Sequence, residues 1–158
     1  EGSRIMVVEI QALTHFSGGF APPRRMASGI DQKKLSLILA VLEKYLGMQF
    51  STSDVYLNVT GGLKITEPAA DLAAAFAVWS SFYNVELPFR AAFVGEIGLT
   101  GELRAVGQLE KRVRELEKTG FKKLHTARLR KKFGLATDFD LYCTDTIKAF
   151  FQSFSSFK

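Results

Sequence analysis

A single α/β domain, equally describable as α+β, is what the sequence predicts, on three observations. Its 158 residues match the roughly 100–200 residues of one domain. A make-up of 47% hydrophobic and 23% charged residues is that of a globular chain, long enough to bury about two-thirds of its unfolded surface. Segments with the two-residue alternation of strands interleave throughout with segments carrying the helical period. Wholesale disorder, collagen-like repeats and low-complexity architectures are excluded. No apolar run reaches the roughly 18–20 residues of a membrane-spanning helix.

Residues 4–13 are rich in β-branched and apolar side chains (Ile5, Val7, Val8, Ile10) and predict a first strand. Gly18-Gly19 and Pro22-Pro23 punctuate a loop over 14–25. Asp31 is placed as an N-cap. After it Leu35, Ile38, Leu39, Leu42 and Leu46 form one helical stripe, widened by Leu37 and Val41 and closed by Gly47. Val55, Leu57 and Val59 alternate with Tyr56 and Asn58 as a strand that Gly61-Gly62 ends. Pro68 suits the first position of a helix over 69–82 carrying Leu72, Phe76 and Trp79. Two short strands, 92–97 and 103–106, flank the hairpin signal Gly98-Leu99-Thr100-Gly101. A helix over 108–119 turns Leu109, Val113 and Leu116 to one side and stops at Gly120. Short strands follow at Leu124-His125 and Leu141-Tyr142-Cys143. Thr144 is expected to cap a last helix whose Ile147, Phe150, Phe151 and Phe154 read as core.

Chemistry-bearing residues are few. With Cys143 alone, an internal disulfide or a cysteine-based zinc cluster within the chain is impossible, and a reducing compartment is favoured. His15 and His125 are far apart and read as ordinary surface or loop histidines. Neither G-x-x-x-x-G-K-[ST] nor G-x-G-x-x-G occurs, so no nucleotide-binding loop is legible. The net charge of +5 is unevenly placed. Between residues 111 and 132 lie Lys111, Arg112, Arg114, Lys118, Lys122, Lys123, Arg128, Arg130, Lys131 and Lys132, against Glu115 and Glu117. A second cluster joins Arg24-Arg25 to Lys33-Lys34. Such clusters suit phosphate backbones; the alternative is a solvated basic face. The start, Glu1-Gly2-Ser3-Arg4, has no initiator methionine and no signal-type apolar stretch, which predicts a piece of a longer protein.

Two stretches carry a resemblance. One runs Gly61-Gly62-Leu63-Lys64-Ile65-Thr66-Glu67-Pro68-Ala69-Ala70-Asp71-Leu72. The other runs Gly95-Glu96-Ile97-Gly98-Leu99-Thr100-Gly101-Glu102-Leu103-Arg104-Ala105-Val106-Gly107, then Gln108-Leu109-Glu110-Lys111-Arg112. In order and separation both resemble the proteolytic domain of Lon. They are closer still to the C-terminal Lon-like domain of the RadA/Sms DNA-repair family, whose Glu-Pro-Ala-Ala-Asp-Leu-Ala segment stands here at 67–73 and whose Arg-rich loop precedes Gly29-Ile30-Asp31. The resemblance covers about residues 4–125.

The resemblance implies a mixed-sheet fold related to the GHMP-kinase and ribosomal-protein superfamily, spanning 1–158 as one Lon-like domain. It also implies that the peptidase dyad is gone. Lon's serine nucleophile maps onto Ala69 and its lysine base onto Glu110. Lys111 is one residue, about 100° of helix, away; Ser80 and Ser81 are about 16 Å along the helix. The implied role is an oligomerisation platform and DNA-contact module within an ATP-dependent, branch-migrating hexameric helicase. Zinc-binding and RecA-like ATPase modules would lie upstream, holding Zn, ATP and Mg, with no cofactor in this chain. Single-stranded or branched DNA, further copies of the chain and a RecA-type recombinase are the implied partners, with no membrane. The implied setting is the bacterial cytoplasm, or an organelle in a eukaryote. The DNA-contact candidates are Arg24, Arg25, Lys33, Lys34, Lys122, Lys123, Arg128, Arg130, Lys131 and Lys132. A purely structural interaction domain with an incidental basic face, or a divergent peptidase with relocated groups, are the competing readings.

Overall fold

Asp31 accepts from the backbone N–H groups of Lys33 and Lys34 at the N-terminus of α1 (Gln32–Leu46), and Gly47 closes it in the left-handed conformation, as the cap residues predict. The computed structural model describes residues 4–19, 21–129, 133–134 and 138–154. Its other elements are β1 (Ile10–Phe16), β2 (Arg25–Ser28), β3 (Ser53–Val59), α2 (Asp71–Tyr83), β4 (Ala91–Val94), β5 (Glu96–Ile97), β6 (Leu103–Arg104), α3 (Leu109–Lys118), β7 (Lys123–Ala127), β8 (Asp140–Thr144) and α4 (Ile147–Gln152). The α/β class stands. No helix among the described residues is long and apolar enough to cross a membrane.

β3 is the centre of the first sheet, ordered β1-β3-β2, with β1 antiparallel and β2 parallel to it. Ala12, Leu57 and Ala27 share one row and face the core. The next row, Leu13, Tyr56 and Met26, faces outward. The second sheet, β4-β7-β8, is wholly parallel. Its Ala92–Leu124–Leu141 row packs on α3 through Leu109, Val113 and Leu116. Its opposite face carries the ring row Phe93–His125–Tyr142, packed on α4.

α2 lies between the sheets, touching β1, β3 and β4. Leu72, Ala74, Ala75, Phe76, Val78 and Trp79 are all buried, so the helix has no solvated side through most of its length. Phe76 meets the rings of Trp79, Phe93, Phe150, Phe151 and Phe154, and the expected Phe stripe of α4 is core.

Several expectations are corrected. The first strand runs over Ile10–Phe16 rather than 4–13, because residues 4–8 have no ladder partner and leave Met6 and Val7 exposed. The expected loop over 14–25 therefore loses Thr14 to Phe16 to this strand. β2 is a strand that the sequence pattern does not predict. It has four residues, and its outer edge is closed by the Gln32 amide, which accepts from Ala27 N–H (3.0 Å) and donates to the Arg25 carbonyl (2.6 Å). The strand expected over 92–97 is split at Gly95. Gly95 N–H donates to the Ala69 carbonyl (2.9 Å), and the Gly95 carbonyl accepts from Leu72 N–H (3.1 Å), so neither group is left for a ladder. β4 then pairs β7, and the hairpin proper is β5-β6. Tyr45 seats that hairpin: its hydroxyl donates to the Leu99 carbonyl, and its ring would crowd a Cβ on Gly101 at 3.1 Å, at a φ of +80° that favours glycine. The last helix is capped by Thr146, because Thr144 ends β8. Leu37 is exposed, outside the buried stripe.

His125 is also corrected. It is buried between the rings of Phe93 and Tyr142, stacked on both, at 5.1 and 4.7 Å. Burial, with the nearby Lys123 charge, holds its imidazole down at about 4. His15 is exposed, as expected.

Truncating Phe76 or Leu39 to Ala removes buried contacts throughout this core and is expected to cost about 2–5 kcal/mol, read from chemical denaturation. A pH dependence follows from His125. The unfolded imidazole protonates near 6.5 and the folded one only near 4, so stability is complete above 6.5 and falls as the pH drops toward 4. His125→Phe keeps a stacked ring and is expected to flatten the melting temperature across that window.

Candidate nucleic-acid interface

Pro68 opens a 3-10 turn, Pro68–Ala70, which leads into α2. Ala69 is buried, with its carbonyl bound by Gly95 N–H. Glu110, in the first turn of α3, is exposed and ion-paired to Arg114 at 2.5 Å, the i,i+4 neighbour. Between the two segments reaches Arg112. Its guanidinium pairs with Glu67 and donates from Nε to the Gly107 carbonyl at 3.0 Å, tying the start of α3 to the Ala69 turn. Ser80 donates to the Val85 carbonyl just beyond the C-terminus of α2, and the Ser81 hydroxyl accepts from Thr14 N–H of β1, so both serines are engaged in structural contacts.

Asp71 is the buried charge nearest Ala69 in the chain. Its Oδ2 accepts from Lys34 Nζ at 3.0 Å and from Ile97 N–H at 3.3 Å, joining α1, α2 and β5. Burial pushes its carboxyl up, an effect opposed by the Lys34 ammonium and the Ile97 N–H. The pair helps line a groove of about 320 Å³ between α1 and the β5-β6 hairpin. On the hairpin, the Thr100 hydroxyl, then a backbone hydrogen bond and Arg104, hold the Glu102 carboxyl down at about 2. Arg104 also pairs with Glu96 at 3.1 Å.

The basic candidates fall into different conditions. Arg25 spends its guanidinium on the carbonyls of Ser53 and Phe50, both at 2.5 Å, and of Arg24 at 3.0 Å. Lys34 is on Asp71, Lys122 on Asp138 and Arg128 on Asp145 at 2.9 Å. Lys123 is half-buried at the start of β7, beside His125. Arg24 and Lys33 are exposed. Each adjoins one member of the Gln32–Arg25 bond, so both lie where β2 meets the first turn of α1. Arg130, Lys131 and Lys132 lie outside the described residues.

One basic concavity lies apart from the DNA-contact candidates that the sequence marks. Arg4 and Ile5 pack beside α3, enclosing with Lys111, Arg114, Glu115 and Lys118 a groove of about 280 Å³. The i, i+3, i+7 spacing of those three cations is legible in the sequence; the approach of Arg4 across the fold is not. Among the described residues no group of three or more His, Cys, Asp and Glu side chains could hold a metal.

Fold and site together define an α/β domain with mixed sheets, a buried carboxylate–ammonium pair beside its central helix, and basic side chains split between internal ion pairs and open surface. No family model matches the chain. It is 48% identical to the DNA repair protein RadA of Bacillus subtilis over 124 residues, covering 78% of this chain and 27% of that protein. Identity to the DNA repair protein RadA of Chlamydia pneumoniae is 50% over 121 residues, 77% of this chain and 26% of that one. For the Haemophilus influenzae DNA repair protein RadA it is 47% over 123 residues, with 78% and 27% covered. Over the matched stretch the chain belongs to the RadA family, and it spans about a quarter of the length of these relatives.

Lys34→Ala strands the Asp71 carboxylate in the interior. Its expected cost is about 1–3 kcal/mol, smaller in acid than at neutral pH because protonation relieves the buried charge. Equal cost at both would show that Asp71 does not depend on Lys34.

Proposed function

We propose that this chain is the non-proteolytic, Lon-like module of a RadA-type DNA repair and recombination protein, contacting DNA and helping the parent assemble. The observation that carries the reading is the 47–50% identity to proteins named for DNA repair. In this reading the parent is a DNA-dependent ATPase and ring-shaped, branch-migrating helicase. Its ATP, Mg and Zn belong to modules upstream of this chain, its hexamer uses this domain as a platform, and a RecA-type recombinase is a further partner. The setting is the bacterial cytoplasm, or an organelle in a eukaryote.

Chemistry supports the non-proteolytic part. If the peptidase positions are Ala69 and Glu110, a methyl group stands where a nucleophile is needed. The carboxylate in place of the base is turned to Arg114. No cleavage of casein-like or peptide substrates is expected, with or without ATP. Acylation of any serine by a peptidase-type inhibitor, above an unfolded control, would overturn this.

A second reading, a purely structural interaction domain, is favoured by Arg25, Lys34, Lys122 and Arg128 all having partners within the chain. Arg24 and Lys33 decide between the two. Removing one phosphate-binding cation lowers the slope of log affinity against log salt by about one unit. Ala at both positions in the full-length protein is therefore expected to weaken binding uniformly across sequences and flatten that slope. Wild-type affinity, slope and assembly mass would favour the structural reading.

A further inference from the structure

The most exposed large apolar side chain among the described residues is Phe89, at 81%. It sits in the turn between α2 and β4, and that turn is held in place. Ala91 N–H donates to the Pro88 carbonyl at 3.3 Å, and the Arg90 carbonyl accepts from Lys122 N–H (3.0 Å) and Lys123 N–H (3.3 Å). Arg90 adopts φ +53°, a left-handed conformation that costs a non-glycine residue and persists where surroundings impose it. Its guanidinium lies 5.1 Å from the Phe89 ring centroid, a cation–π arrangement in the open. The aromatic residues that sequence places among the basic ones, Phe121 and Phe133, pack instead against the Leu109–Val113–Leu116 cluster.

Charge at the tip itself is nearly balanced, since Asp138 pairs with Lys122 and Asp140 stands opposite Lys123 in the ladder. Phosphate attraction has to come from beside it. α3 supplies that attraction through Lys111, Arg114 and Lys118, which span about 10 Å of helix and share a groove with Arg4. Glu110 and Glu115 neutralise only part of this charge, through Arg114 and Lys118. Four residues after α3 ends, the chain reaches Lys122, whose N–H is on the Arg90 carbonyl, so this helix leads toward the tip.

We propose that Phe89 and the α3 groove bind single-stranded nucleic acid, one base stacking on the exposed ring and the backbone phosphates lying along Lys111, Arg114 and Lys118. The inference rests on the DNA-contact reading above and names the aromatic side chain and the helix face that take the single strand. An open aromatic face beside cations recognises an unstacked base of any sequence. In a duplex the base faces are covered by their neighbours, so the same ring has nothing to stack on.

The test uses the full-length protein with an oligothymidylate and a duplex of equal length, in a salt series. Phe89→Ala is expected to weaken binding to the single strand about 5- to 100-fold and to leave the duplex and the salt slope unchanged. Phe89→Tyr should retain single-strand affinity. Lys111→Ala with Lys118→Ala should lower the salt slope by about one unit or more. Phe89→Trp adds an exposed indole, whereas Trp79 is buried at 2%; the added emission should be quenched by the single strand and not by the duplex. Wild-type binding that Phe89→Ala leaves untouched, or added emission that no single strand quenches, overturns the stacking site while sparing the DNA reading. A change in assembly mass without a change in affinity makes the tip a protein contact and overturns it too. If the wild type binds neither oligonucleotide at low salt, the DNA reading falls with it.

Discussion

α2 has almost no side that water can reach, and the rest of the architecture answers to that constraint. A thirteen-residue helix running Leu72-Ala73-Ala74-Ala75-Phe76-Ala77-Val78-Trp79 through its middle cannot lie on a surface without exposing apolar area. It is enclosed by the first sheet on one side and by β4 and α4 on the other. Its alanines let backbone elements approach closely, while Phe76 and Trp79 fill the space that remains among the rings of Phe93, Phe151 and Phe154. Both sheets are thereby placed by one element.

The entry to α2 places the candidate site in the same way. Because Gly95 gives its N–H to Ala69 in the turn and its carbonyl to Leu72 in the first turn of α2, β4 ends there and the chain is redirected into the β5-β6 hairpin. Two charge contacts complete the junction. Lys34 and Ile97 satisfy the Asp71 carboxylate inside it, and Arg112 spans from α3 to Glu67. In a buried pair, attraction and desolvation nearly cancel, whereas removal of one partner leaves a charge without compensation. Lys34–Asp71 therefore specifies how α1, α2 and β5 meet more than it adds to stability.

A charge tally is a poor guide to a binding surface in this molecule. The densest sequence clusters include cations that the fold consumes, such as Arg25 on the Phe50 and Ser53 carbonyls and Lys34 on the buried Asp71. The concave basic surface arises where Arg4, from the first described residues, meets a helix more than a hundred positions later. What the surface can offer an anion is set by the cations that remain open rather than by the number present.

By itself the sequence determined whatever depends on neighbours within a turn or two. The Asp31 cap, the Leu35–Leu42 stripe, the Gly47 stop, Pro68 ahead of α2, the turn at 98–101 and the Ile147–Phe154 stripe all express short-range rules of period and backbone conformation. The family was legible as well, because its motifs lie in two continuous stretches. Tertiary structure alone decided what depends on partners far along the chain. β2 has too few residues to show a period and exists because β3 and the Gln32 side chain complete its hydrogen bonds. His125 is neutral because Phe93 and Tyr142 come from strands on either side of it. Lys34, Arg112 and Lys122 meet acids 37, 45 and 16 positions away, and Phe89 keeps its ring in water because the Lys122–Lys123 backbone grips the next residue. The physical reason is the same in each case. Periodicity and capping act over a few residues of chain, whereas desolvation and ion pairing act over a few ångströms of space, whatever length of chain lies between the partners.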